Sequence, residues 1–134
     1  SLNETSNKQR IQIWKKSIIS IAHHPLLGVG IGNFPVVLSQ DVAKAKAGSS
    51  AHNLYLHIAA ELGIPALIIT LIFLYRFLAI AYKRREEAFY AMVFLYAGWV
   101  LVYSLVDIAL IEERALLLFT VIVALVYEQE KNTD

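Results

Sequence analysis

Leu62-Gly63-Ile64-Pro65-Ala66-Leu67-Ile68-Ile69-Thr70-Leu71-Ile72-Phe73-Leu74-Tyr75-Arg76-Phe77-Leu78-Ala79-Ile80-Ala81-Tyr82 carries a single charge, Arg76, and its reading decides the class of fold. About 20 consecutive apolar residues are what a helix needs to cross the hydrocarbon of a bilayer. Arg76 lies near the far end, where its stem can lie along the apolar surface while the guanidinium reaches the interface. The charged turn Lys83-Arg84-Arg85-Glu86-Glu87 follows, and then Ala88 to Val106 is free of charge. Ala115 to Tyr127 is also uncharged but shorter, so a third apolar segment is expected to begin near Ile108 with Glu112, Glu113 and Arg114 in its first turns. The pattern predicts three transmembrane helices at about 54–82, 88–106 and 108–127.

Composition agrees with a membrane class. The 134 residues are 57% hydrophobic and 17% charged, too much apolar surface for an unassociated water-soluble domain of this size. A net charge of +1 gives no basic excess, so nucleic acid is not an expected partner. The absence of cysteine excludes disulfides and thiolate metal sites. With Ser1 at the start and Met92 as the only methionine, the chain reads as a piece of a longer protein. Lys83-Arg84-Arg85 is expected to stay cytoplasmic by the positive-inside rule, which puts Arg10 through His52 and Asp107 to Arg114 together on the outer side.

Residues 1–53 precede the first span as an external loop. Ile11, Trp14, Ile18 and Ile21 recur at helical spacing with Gln12, Lys15, Lys16 and Ser20 on other faces, a short amphipathic helix. Its tryptophan and paired lysines suit a membrane surface. Pro25 ends it, and His24-Pro25-Leu26-Leu27-Gly28-Val29-Gly30-Ile31-Gly32-Asn33-Phe34-Pro35 reads as a glycine-punctuated turn. Its glycine spacing is not a dinucleotide fingerprint, although its backbone N–H groups offer an anion nest as a second reading. Ser39 to Ala51 is small, polar and expected to be a mobile loop.

At the junction of loop and span stand the residues able to do chemistry. His52 suits a general base, since an imidazole accepts a proton near neutral pH; equally, His52 or Asn53 caps the first N–H groups of the following helix. Ala59 and Gly63 form a small-xxx-small pair that lets another helix approach, while His57 and Glu61, four residues apart, point elsewhere and can pair. Arg10 and Arg114 are each able to grip a phosphate with a bidentate fork. For Arg114 an ion pair with Glu112, Glu113 or Asp107 is the favoured alternative. His23, His24, His52 and His57 lack zinc-enzyme spacing, so no metal is expected.

Three pieces in order carry a family resemblance: Arg10-x-x-x-Trp14, the segment His24 to Phe34, and His52-Asn53 followed by nine residues and Gly63. Together they resemble the C-terminal part of the bacterial O-antigen ligase and polymerase family, membrane glycosyltransferases that use polyprenyl pyrophosphate-linked glycans. The chain departs from the ligase signature at Ala66, where a second glycine is common, which bears on the choice of ligase over polymerase.

The resemblance implies an all-α integral membrane fold, the loop and last three spans of a larger GT-C-like multi-span protein whose upstream helices supply the rest. It implies transfer of a glycan from a polyprenyl pyrophosphate donor to a glycan or lipid acceptor hydroxyl, without metal or cofactor, on the extracytoplasmic face of the bacterial cytoplasmic membrane. His52 would take the acceptor proton and Arg10 would bind the pyrophosphate; Asn53, Tyr55, Glu61 and Arg114 would line the substrate site. Two rivals stay open: a polysaccharide polymerase of the same family, and a non-catalytic three-span scaffold or transporter subunit that uses the Ala59/Gly63 face.

Overall fold

The computed structural model describes residues 2–41, 51–108, 110 and 113–131, and the described residues are helical with no strand. Six helices follow in order: α1 (Leu2–His23), α2 (Phe34–Asp41), α3 (Leu54–Leu62), α4 (Ile64–Lys83), α5 (Ala88–Tyr103) and α6 (Glu113–Lys131). Most of the loop expected over 39–51 lies outside the described residues.

α4 and α5 form an antiparallel pair joined by the turn at 84–87. Each buries a stripe at helical spacing, Leu74, Phe77 and Ala81 on α4 against Tyr90, Val93, Ala97 and Val100 on α5, and α6 adds Phe119 and Val126 to the same core. Phe77 and Phe119 meet edge to face at 5.5 Å between ring centres. The other faces stay open: Ile68, Ile69, Ile72 and Tyr75 on α4, and Met92, Leu95, Trp99 and Val102 on α5, are exposed. Among the described residues α4 is the one helix both long and apolar enough to cross a membrane. α5 is as apolar, but its 16 residues give only about 24 Å at 1.5 Å each.

At the far end Arg84 binds the hairpin to α6. Its guanidinium donates to Glu87 and Glu130 at 2.8 Å and lies 4.3 Å above the Tyr90 ring, while the Tyr90 hydroxyl donates to Glu130 at 3.1 Å. The arginine hydrogen bond holds the Glu130 carboxyl below its ordinary range, against a smaller opposing effect of burial.

The helices depart from the expected segments in ways that have local causes. The segment 54–82 is two helices, broken at Gly63, whose φ of 88° closes α3 and opens α4 with Pro65 in the first turn. α5 stops at Tyr103, and residues 104–106 continue as turn. The last described helix, from Glu113, runs on past 127 to Lys131, and before it Asp107 turns its carboxylate back onto the Ile108 N–H at 2.8 Å. Phe34-Pro35, expected in a turn, starts α2, where proline suits the first turn of a helix.

α1 buries a different face from the one its apolar spacing suggests. Ile13, Ser17 and Ser20 point inward, while Ile11 and Ile18 are 52% and 58% exposed. Serine is tolerated there because Ser17 donates its hydroxyl to the Ile13 carbonyl at 2.9 Å. Trp14 does not use its ring N–H at a membrane surface but donates it to the Ala51 carbonyl at 3.0 Å. Ile13, Phe34, Leu38, Ala51 and Ala60 form the second core, which seats α1 and α2 on α3.

Candidate functional site

α3 is held at both ends by other parts of the chain. At its C-terminal end the last carbonyls of a helix lack partners, and the glycine turn supplies them: Val29 and Gly30 donate to Ala60 and Glu61 at 2.9 Å. Gly32 donates to the Glu61 carboxylate at 3.0 Å, and His57 Nε2 stands 3.5 Å from its other oxygen. The backbones come so close that a Cβ on Gly28 would run into Glu61, and one on Gly63 into the Leu26 carbonyl. What approaches Gly63 is therefore the backbone of the turn and not a partner helix. The N–H groups of Val29, Gly30 and Gly32 are all engaged, which removes the anion-nest reading. His57 packs edge-on against Phe34 at 6.0 Å, and burial lowers its pKa from the ordinary histidine value, with the Glu61 charge opposing. Glu61 and His57 are both buried in this joint.

At its N-terminal end α3 meets the last turn of α5. Asn53 is the cap: in extended conformation it accepts from the Leu56 N–H at 3.0 Å and donates its amide to the Leu105 carbonyl at 2.8 Å. The Leu54 N–H donates to the Ser104 carbonyl, and the Tyr55 hydroxyl to the Leu101 carbonyl, both at 2.8 Å. Each helix end thus satisfies the orphan groups of the other. Asn53 and Tyr55, expected to contact substrate, spend these polar atoms on α5.

The cap falls to Asn53 and not to His52, which sits just outside the helix at φ 47° with its side chain 43% exposed. A non-glycine residue in this left-handed region is uncommon and is held there by its surroundings. Here Trp14 grips Ala51 on one side and the Asn53 cap fixes the other. His52 Nδ1 faces Asp107 Oδ1 at 3.9 Å, beyond hydrogen-bond reach but within the range of an ion pair when the ring is protonated. Asp107 is itself held, accepting from the Tyr103 hydroxyl at 3.1 Å and from the Ile108 N–H. Tyr103 stacks on Trp99 at 5.0 Å.

Arg10 lies one helical turn before Trp14 and is exposed. Arg10 and His52 are linked through the Trp14 to Ala51 bond, and His52 faces Asp107, which Tyr103 holds. The sequence singles out the first pair but not Tyr103, and offers Asp107 only as a partner for Arg114. A tyrosine and an aspartate four residues apart at the end of an apolar run was the signal available. Arg114 is exposed at the start of α6, and Asp107 faces His52 instead.

An all-helical chain with a part-exposed histidine, carboxylate and tyrosine cluster at the end of α5, and one membrane-length helix in α4, is the class of protein these features define. The family model for O-antigen ligase matches residues 1–71, and the chain belongs to the O-antigen ligase family, a membrane-associated family of polysaccharide biosynthesis. The matched region holds Arg10, the glycine turn, His52 and Gly63, whereas Tyr103 and Asp107 lie beyond it. No curated protein matches the chain.

Proposed function

We propose that this chain carries the transfer site of an O-antigen ligase-type glycosyltransferase, moving a glycan from a polyprenyl pyrophosphate donor to an acceptor hydroxyl. The observation that carries this reading is that His52 faces Asp107, itself held by Tyr103, at the capped junction of α3 with α5, with Arg10 one turn from Trp14, whose ring N–H holds Ala51 next to His52.

The acceptor hydroxyl gives its proton to His52 as its oxygen attacks the anomeric carbon from the face opposite the leaving group. The bond from that carbon to the pyrophosphate oxygen breaks with its electron pair, and Arg10 stabilises the charge that grows there. Asp107 faces Nδ1 at ion-pair range, so it stabilises the imidazolium once the ring is protonated, as Tyr103 and the Ile108 N–H hold Asp107 in place. Asn53, Tyr55 and Glu61 act by position, and Arg114 stands as a contact for the donor or acceptor outside this cluster.

α4 with α5 and α6 anchors the chain as a multi-pass protein in the bacterial cytoplasmic membrane, completed by upstream helices of the same protein. The cluster lies on the extracytoplasmic face. Support comes from the separation of groups, since the Lys83-Arg84-Arg85 turn stands at the opposite end of α4 from His52. A polymerase joining repeat units would use the same groups and differs in its acceptor.

The test is complementation of cells lacking the native enzyme with the full-length gene carrying His52→Ala, Arg10→Ala or Asp107→Asn, with membrane levels checked. Loss of product with accumulation of lipid-linked glycan is expected for the first two and a strong reduction for the third. Normal product at normal expression would leave His52 without a chemical role and restore the scaffold reading; the product's chain length separates ligase from polymerase.

A further inference from the structure

A second group of polar side chains stands apart from His52, where α1 runs into the glycine turn. A cleft of about 230 Å³ opens there between α1, the turn and α2. Lys16, His23 and His24 line it with Ser20, and Ile19 and Val37 give it aliphatic walls. Ser20 is 7% exposed and its buried hydroxyl has no hydrogen-bond partner among the described residues, whereas Ser17 one turn earlier satisfies its own. His23 Nδ1 lies 2.9 Å from the Ile19 carbonyl. A carbonyl only accepts, so Nδ1 carries the hydrogen and the ring is held by its inner edge.

The place of the cleft matters as much as its lining. The carbonyl of Pro25, next to His24, accepts from the N–H of Ile64 at 2.8 Å, which stitches this turn to the first residue of the membrane-length helix. In the same turn Leu26 and Leu27 are 70% and 83% exposed, and Ile31 is 79% exposed. Apolar prongs beside a basic rim, at the level where an apolar helix begins, match the boundary between acyl chains and headgroups. A lysine and two histidines over aliphatic walls fit a ligand that is anionic at one end and apolar next to it.

We propose that this cleft binds the phosphodiester of an anionic bilayer lipid, with Leu26 and Leu27 inserted among the acyl chains beside it. The proposal rests on the membrane placement of α4 given above, but not on the transfer chemistry. Lys16 supplies a fixed positive charge, His23 and His24 frame the phosphate, and Ser20 lies on the floor.

The four histidines of the chain make the test site-specific. The chain is held in detergent micelles and titrated with dihexanoyl phosphatidylglycerol, dihexanoyl phosphatidylcholine or inorganic phosphate. The ring signals of His23, His24, His52 and His57 are followed by NMR, each assigned from its His→Gln variant. The expected result is a saturable shift of His23 and His24 with phosphatidylglycerol, much weaker with the other two probes, and weakened about tenfold in affinity by Lys16→Gln. An unchanged His57 signal in that variant certifies the fold.

An equal response to inorganic phosphate would overturn the lipid assignment in favour of a simple anion site. A shift confined to His52, or no shift at all, would overturn the cleft itself. Transfer activity plays no part in this readout, so failure of the transfer reading leaves it standing. Failure of the membrane placement would show separately, as a chain that stays in the aqueous phase without detergent.

Discussion

Replacing Asn53 tests the joint that positions His52. The residue is 9% exposed and its side chain makes two bonds of different kind, the cap to the Leu56 N–H and the tie to the Leu105 carbonyl. Loss of a cap costs about 1 kcal/mol. A buried hydrogen bond to a carbonyl left without a partner adds roughly 1–2 kcal/mol. Asn53→Ala is therefore expected to destabilise by about 2–3 kcal/mol, a sizeable part of the total for a small domain. Asn53→Ser keeps a capping oxygen but cannot reach Leu105, so about half the loss should return. Asn53→Asp keeps the cap oxygen and sets a carboxylate against the Leu105 carbonyl, so it should fall below serine. Unfolding of the purified chain in mixed micelles, followed by helical circular dichroism, measures all three. An alanine variant within about 0.5 kcal/mol of the parent, or a serine variant no better than alanine, would refute the reasoning.

Gly28→Ala places a methyl against the Glu61 backbone at φ 63°, so left-handed strain and overpacking should together cost about 2–4 kcal/mol in the same unfolding assay. In the full-length protein, Tyr103→Phe removes the hydroxyl that holds Asp107 and should lower transfer several-fold while Asp107→Asn lowers it further, read as product per membrane-inserted enzyme. Glu130 is depressed by Arg84, so its contribution to stability is present above the unfolded carboxylate pKa and is lost as pH falls through the lower folded value. Unfolding measured from pH 7 down to acid should show that slope in the parent and a flatter one in Glu130→Gln.

The parts of this protein that its sequence discloses are those set by local pattern. The apolar run from Ile64 and the charged turn after it appear where the pattern puts them, because length and charge alone mark them. Arg10 and His52 stood out through the ordered pieces of the family resemblance, since residue type alone left His52 as readable as a helix cap. The inward face of α1 was not, since Ser17 and Ser20 read as polar until the Ile13 carbonyl and the packing against α3 are seen. Gly63 read from the sequence as half of a small pair for helix packing, and only the Leu26 backbone that meets it shows it as the break between α3 and α4. Asp107 meets His52 through the folding of α5 back onto the start of α3, a contact between residues far apart in the chain that no periodicity encodes.

Because α3 is fastened at its first residue to the end of α5 and at its last to the glycine turn, the nine residues between Asn53 and Gly63 work as a ruler. Each residue added or removed would move one fastening by about 1.5 Å along the axis and turn it by roughly 100°. The histidine cannot then stay in front of Asp107 while the glycine stays beneath Leu26. In this chain that interval is a measured length of the machine.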